Sequence, residues 1–122
     1  MKNLIVNADD LGWTEGVNQG IAEAHRNGIV TSTSLLANGA AFASGVELAR
    51  STPGLGVGVH LNLSDGEPIA PRELVATLLN DEGEFAGGPE ALLLRIAKRD
   101  VTVREAEQEW EAQIERVKEA FS

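Results

Sequence analysis

Two adjacent carboxylates, Asp9 and Asp10, and one imidazole, His60, are the side chains of this sequence that could do chemistry together. A hard divalent cation takes carboxylate oxygens and a borderline one accepts imidazole as well, so an aspartate with a histidine is a partial shell for either. The second aspartate would then be free to act as general base toward an attacking water. Each residue also has a plainer reading. An Asp-Asp pair between a strand and a helix suits an Asx turn or a helix cap, and a histidine on a glycine-rich strand suits a core residue bonded to backbone. His25, one helical turn after Ile21 and near a helix end, is explained by packing and the helix dipole. Trp13 lines a pocket or packs the first helix.

These residues must be carried by elements that bring them to one place. Leu4 to Val6 predicts a first, fully covered strand ending at Asn7-Ala8-Asp9-Asp10. Neighbours on a strand point to opposite faces, so both aspartates reach one pocket only where the chain turns, and Gly12 permits that turn. A helix is expected from Thr14, as N-cap, to Gly28, with Val17, Ile21 and Ala24 at helical spacing. Ile29 to Asn38 predicts a second strand, and Ala40 to Arg50 a helix with Phe42, Val46 and Ala49 inside. From Gly56 to Leu63 the alternation places Val57, Val59, Leu61 and Leu63 on a packed face. Gly56, Gly58, His60 and Asn62 fall on the other, which is the candidate site. Pro71 to Leu79 predicts a short helix, Asp81 to Gly88 a loop, and Pro89 to Lys98 another helix. In the last helix Thr102 and Glu105 form a capping box. Its apolar stripe runs through Val103, Ala106, Trp110, Ile114, Val117 and Phe121, assigned to core or interface, with the acidic residues from Glu105 to Glu115 on the solvated side.

The order βαβαβ followed by helices means an α/β fold with parallel strands and flanking helices, and ligands bind at the C-terminal strand ends of such sheets. A closed (β/α) barrel needs about 250 residues. At 122 residues the chain is expected to be a single incomplete barrel domain over 1–122, truncated at the C-terminus.

Ten Lys and Arg against nineteen Asp and Glu give a formal charge of -9, which disfavours nucleic acid and anionic membrane as partners. The absence of cysteine excludes disulfides, thiolate nucleophiles and Cys-ligated metal. No stretch has signal-peptide or membrane-spanning character, so a cytoplasmic protein is expected.

Three motifs sit in order: Asn7-Ala8-Asp9-Asp10-Leu11-Gly12, then Gly28-Ile29-Val30-Thr31-Ser32-Thr33-Ser34-Leu35 with Asn38, then Gly56-Val57-Gly58-Val59-His60-Leu61-Asn62-Leu63 with Gly66-Glu67-Pro68. From Met1 to at least Pro71 the sequence resembles the YdjC-like family of carbohydrate deacetylases. The resemblance implies a distorted (β/α) barrel and metal-dependent removal of acetyl groups from N-acetylated sugars such as chito-oligosaccharides. It implies Asp9 as catalytic base, Asp10 and His60 as ligands of a divalent metal ion, magnesium or zinc, and Asn62 as a substrate-binding wall residue. It also implies a further histidine ligand and a histidine acid, roles that neither His25 nor His60 fills. This chain alone is therefore expected to be inactive.

Two other functions compete. A glycoside hydrolase on a similar barrel would need two carboxylates astride a sugar linkage, which consecutive aspartates do not easily provide. A non-enzymatic module would bind sugar or merely self-associate. Open sheet edges and the apolar stripe of the last helix predict a homo-oligomer.

Overall fold

The computed structural model describes residues 2–122. Three strands, β1 (Asn7–Leu11), β2 (Ser32–Leu36) and β3 (Gly56–His60), form one sheet in the order β1-β2-β3, and both pairings are parallel. Helices α1 (Glu15–Arg26) and α2 (Phe42–Ser51) make the two connections. Two 3-10 turns, Arg72–Leu74 and Ala76–Leu78, then lead to α3 (Pro89–Ala97) and α4 (Val103–Ala120). The α/β class, the parallel strands and the flanking helices are as expected.

The first strand is not where its apolar run predicted. Leu4 and Ile5 are 80% and 76% exposed, and β1 is the polar stretch beginning at Asn7. Pairing with β2 decides this: Ser32 and Thr33 oppose Asn7 and Ala8, and their hydroxyls donate to Asn7 Oδ1 and the Ala8 carbonyl, both at 2.7 Å. Hydroxyl and amide ladders hold a strand that hydropathy alone would not choose. The other strands are shorter than the stretches that predicted them. β3 ends at His60, and beyond it Leu61 is 44% exposed, so the alternation fails at this residue.

One face of the sheet packs against the helices. Leu11, Ile21, Leu35, Val46, Ala49, Leu55 and Val117 form the main buried cluster, with Ala8, Val57 and Val59 packed on it. Thr14 caps α1, its hydroxyl accepting from the Val17 N–H at 3.2 Å, as its position predicted. His25 bonds the Val30 carbonyl through Nδ1 at 2.8 Å, which ties the end of α1 to the approach to β2. Ala70, Val75, Leu78 and Phe85 make a second cluster beneath the 3-10 turns, where one continuous helix was expected.

The last helix departs most from its reading. Its buried positions are Ala106, Glu109, Gln113 and Val117, whereas Val103 is 75% exposed and Trp110, Ile114 and Phe121 are only partly covered. Glu109 is not on a solvated side: it is fully buried and accepts from the Ile69 and Ala70 N–H groups at 3.0 and 2.9 Å. Every partner of this carboxylate is a donor, which suits an acceptor-only group. The capping box is also half formed. Thr102 accepts from the Glu105 N–H, but the Glu105 carboxylate turns away to accept from the Thr77 N–H at 2.6 Å.

Candidate active site

The two aspartates share one depression because of a bulge. Asn7 and Ala8 pair with Ser32 and Thr33, and Leu11 pairs with Leu35, so Asp9 and Asp10 together oppose Ser34 alone. The extra residue is Asp10, whose φ of 69° lies in the left-handed region that aspartate tolerates better than most residues. A regular strand would send the two carboxylates to opposite faces. Here both line an open depression of about 530 Å³ with His60, Leu61, Asn62 and Asp65.

The turn that follows is locked by polar groups with no apolar signature in the sequence. Gly12 has φ of 89°, and its N–H donates to the buried Asn18 side chain at 2.7 Å. Asn18 also donates to the Ala41 carbonyl and to Ser44, so one amide fastens β1 to α2. Gly39 passes so close that a Cβ there would lie 2.1 Å from the Gly12 carbonyl oxygen.

At the centre, Asp10 Oδ1 lies 3.3 Å from His60 Nδ1. Ser34 stands between the base candidate and the histidine: its hydroxyl donates to Asp9 Oδ1 at 2.7 Å and lies 3.1 Å from His60 Nδ1. Asn7 Nδ2 donates to the same Asp9 oxygen at 2.8 Å. With the Ser34 proton directed to Asp9, His60 Nδ1 faces the Ser34 and Asp10 oxygens and accepts a long hydrogen bond from the Asp10 backbone N–H at 3.4 Å. On β3 a Cβ at Gly58 would meet nothing within 4 Å, so the site face is open there.

Two ligand atoms each about 2.1 Å from one cation, at tetrahedral to octahedral angles, are about 3.0–3.4 Å apart. The Asp10 oxygen and His60 nitrogen meet that spacing at 3.3 Å. They fit as part of a shell. Among the described residues no group of three or more His, Cys, Asp or Glu side chains could complete one.

Asn62 lines the depression, but its amide is engaged within the chain. It donates to Asn38 Oδ1 and the Asp65 carbonyl, and its oxygen accepts from the Ser64 and Asp65 N–H groups. The backbone of Asn62 is gripped by α4: Gln113 donates to its carbonyl at 2.6 Å and accepts from its N–H at 2.9 Å. Gln113 thus occupies the place of a neighbouring strand just beyond His60. It is braced in turn by Glu109, 2.6 Å away. Sequence reasoning missed Ser34, Glu109 and Gln113 as parts of the site. Only the position of Ser34 inside the second motif could have drawn notice to it. Trp110, expected in core or interface, lines the depression together with Trp13.

Comparison with known proteins finds relatives in sequence and in fold. The family model described as YdjC-like protein matches residues 3–121. A carbohydrate deacetylase of Halalkalibacterium halodurans is 48% identical over 112 residues, covering 92% of this chain and 46% of that protein. One from Enterococcus faecalis is 44% identical over 116 residues, covering 93% of this chain and 42% of its own length. A crystal structure from Enterococcus faecalis, of a protein described as a proposed cellobiose-phosphate cleavage protein, superposes with a TM-score of 0.85 at 40% identity, over 97% of this chain and 44% of that one. The chain therefore spans less than half the length of the relatives it matches.

Proposed function

The chain belongs to the YdjC-like family, and from that premise we propose that it carries the base and two metal ligands of a hydrolase that removes acetyl groups from N-acetylated oligosaccharides. One observation carries the reading: Asp10 and His60 stand 3.3 Å apart as ligands of one cation do, beside an Asp9 that Ser34 and Asn7 hold in place. Asp10 and His60 would hold a divalent ion, magnesium or zinc. When bound there, such an ion polarises the amide carbonyl of the substrate and offsets the negative charge that develops on its oxygen.

The remaining steps belong to the chain's own residues. Asp9 takes the proton of the attacking water, and the hydrogen bonds to its Oδ1 leave its other oxygen free to do so. Ser34 keeps that carboxylate aimed, so little reorganisation accompanies the reaction. Asn62 shapes the wall and contributes no free polar atom. Protonation of the leaving amine falls to a group outside these residues, as does at least one further ligand. The three strands are then the opening of a (β/α) barrel, and the chain by itself is inactive. Among the described residues no helix is long and apolar enough to cross a membrane.

The test is a product assay on this chain joined to the portion of the Halalkalibacterium relative that the match leaves uncovered. Acetate released from di-N-acetylchitobiose without new reducing ends supports deacetylation. New reducing ends without acetate would transfer the site to glycosidic cleavage, and neither product from any acetylated oligosaccharide would remove the enzymatic reading.

A further inference from the structure

We propose that Trp13 and Trp110 form a sugar cradle beside the acidic cluster, each indole stacking on one ring of an oligosaccharide so that the depression takes a chain of at least two rings. The proposal rests on the deacetylase reading and adds which residues hold the substrate.

The chain has two tryptophans and no tyrosine, and both tryptophans line the depression that holds Asp9, Asp10 and His60. They arrive from separate parts of the fold. Trp13 follows the bulged strand, and Trp110 lies on α4, nearly a hundred residues later. Both stay partly uncovered, at 42% and 38% exposure, although covering an indole buries more apolar area than covering almost any other side chain. On α4 the neighbouring positions 109 and 113 are the ones fully buried, and they are polar. The helix therefore spends its buried face on Glu109 and Gln113 and leaves its tryptophan at the depression.

The backbone that carries each indole is fixed. The Trp13 backbone N–H donates to the Asp10 carbonyl at 3.1 Å, so the residue sits on the same turn as the carboxylates. Trp110 follows Glu109, whose carboxylate is fixed by the Ile69 and Ala70 N–H groups. An indole has only two side-chain torsions to fix, so it loses little entropy on binding. A pyranose offers an apolar C–H face and a rim of hydroxyls. The depression offers the matching pair, indoles with Leu36, Leu61 and Leu92 for the face, and Ser64 and Asp65 for the rim. Its volume of about 530 Å³ lies within the range of small-molecule clefts.

Intrinsic fluorescence reports these two indoles alone, so titrating this chain with di-N-acetylchitobiose tests the cradle without any need for turnover. The expected result is a saturable change in emission together with protection from acrylamide quenching. Trp13→Phe and Trp110→Phe each leave one reporter. Each variant should still respond, with affinity about fivefold weaker, and N-acetylglucosamine should bind about tenfold more weakly than the disaccharide. The wild-type quenching result stands even where a variant fails to fold. Heat of disaccharide binding with no change at either indole would overturn the cradle and leave the deacetylase reading intact, and absence of any disaccharide binding would also overturn it. Equal binding of cellobiose would uphold the cradle while counting against selection for the acetyl group.

Discussion

Gln113 pairs with Asn62 through both ends of its side-chain amide, donating to the carbonyl at 2.6 Å and accepting from the N–H at 2.9 Å. A glutamine from α4 thereby does for one residue what an adjacent strand does for many. It fixes the chain two residues after His60, where the regular ladder has ended. Gln113→Ala orphans two backbone groups and removes one of the donors to Glu109, and should lower unfolding free energy by about 2–3 kcal/mol. Chemical denaturation measures this, and hydrogen exchange should show lost protection at the Asn62 amide. A loss below about 0.5 kcal/mol would mean that water replaces the glutamine at no cost.

Glu109→Gln keeps the shape and replaces a pure acceptor with a group that carries two donors. Its one oxygen can accept from the Ile69 and Ala70 N–H groups as Oε2 of Glu109 does, but its amide N–H then faces the Gln113 Nε2 donor in a site with no solvent. The expected cost is about 3 kcal/mol, read by the same denaturation experiment.

Gly39→Ala tests the turn that aims the aspartates. The added Cβ would meet the Gly12 carbonyl oxygen at 2.1 Å, so the turn after β1 must shift or the fold must open. The variant should lose about 1–3 kcal/mol of stability, and a variant as stable as the parent would show that Gly12 and Gly39 are not packed as described.

Leu93, Leu94 and Ile96 of α3 are each more than half exposed, a concentration of uncovered apolar surface on one short helix. Self-association of this chain is the expected consequence, with an interface above about 1,000 Å² in total. Sedimentation should show a dimer or larger species at micromolar concentration that Leu94→Lys disperses. A folded monomer throughout would contradict this.

The αβαβ order after the first strand was legible because strand and helix signals alternate without overlap from Thr14 to His60, and His60 stood out because it closes β3. Three things were hidden, each for a physical reason. The first strand was placed on Leu4 to Val6 because hydropathy marks burial, whereas Asn7 to Leu11 is held by hydroxyls on β2. The bulge at Asp10 depends on a two-to-one register with Ser34, which no local spacing encodes. The face of α4 was misread because its apolar stripe is real, but the strongest demand on the helix comes from bare N–H groups near Ile69 and Asn62, distant in sequence, which call for Glu109 and Gln113 instead.

Consecutive aspartates with different tasks should fail differently, and bound metal counted in variants of the chain joined to the portion of the Halalkalibacterium relative that the match leaves uncovered separates the tasks. Asp9→Asn should keep its full complement of divalent metal while acetate release falls by about a thousandfold, in keeping with the loss of a general base. Asp10→Asn and His60→Ala should lose the metal itself. Equal metal loss in all three variants, or full metal retention in Asp10→Asn and His60→Ala, would contradict the assignment of Asp9 as base and of Asp10 and His60 as ligands.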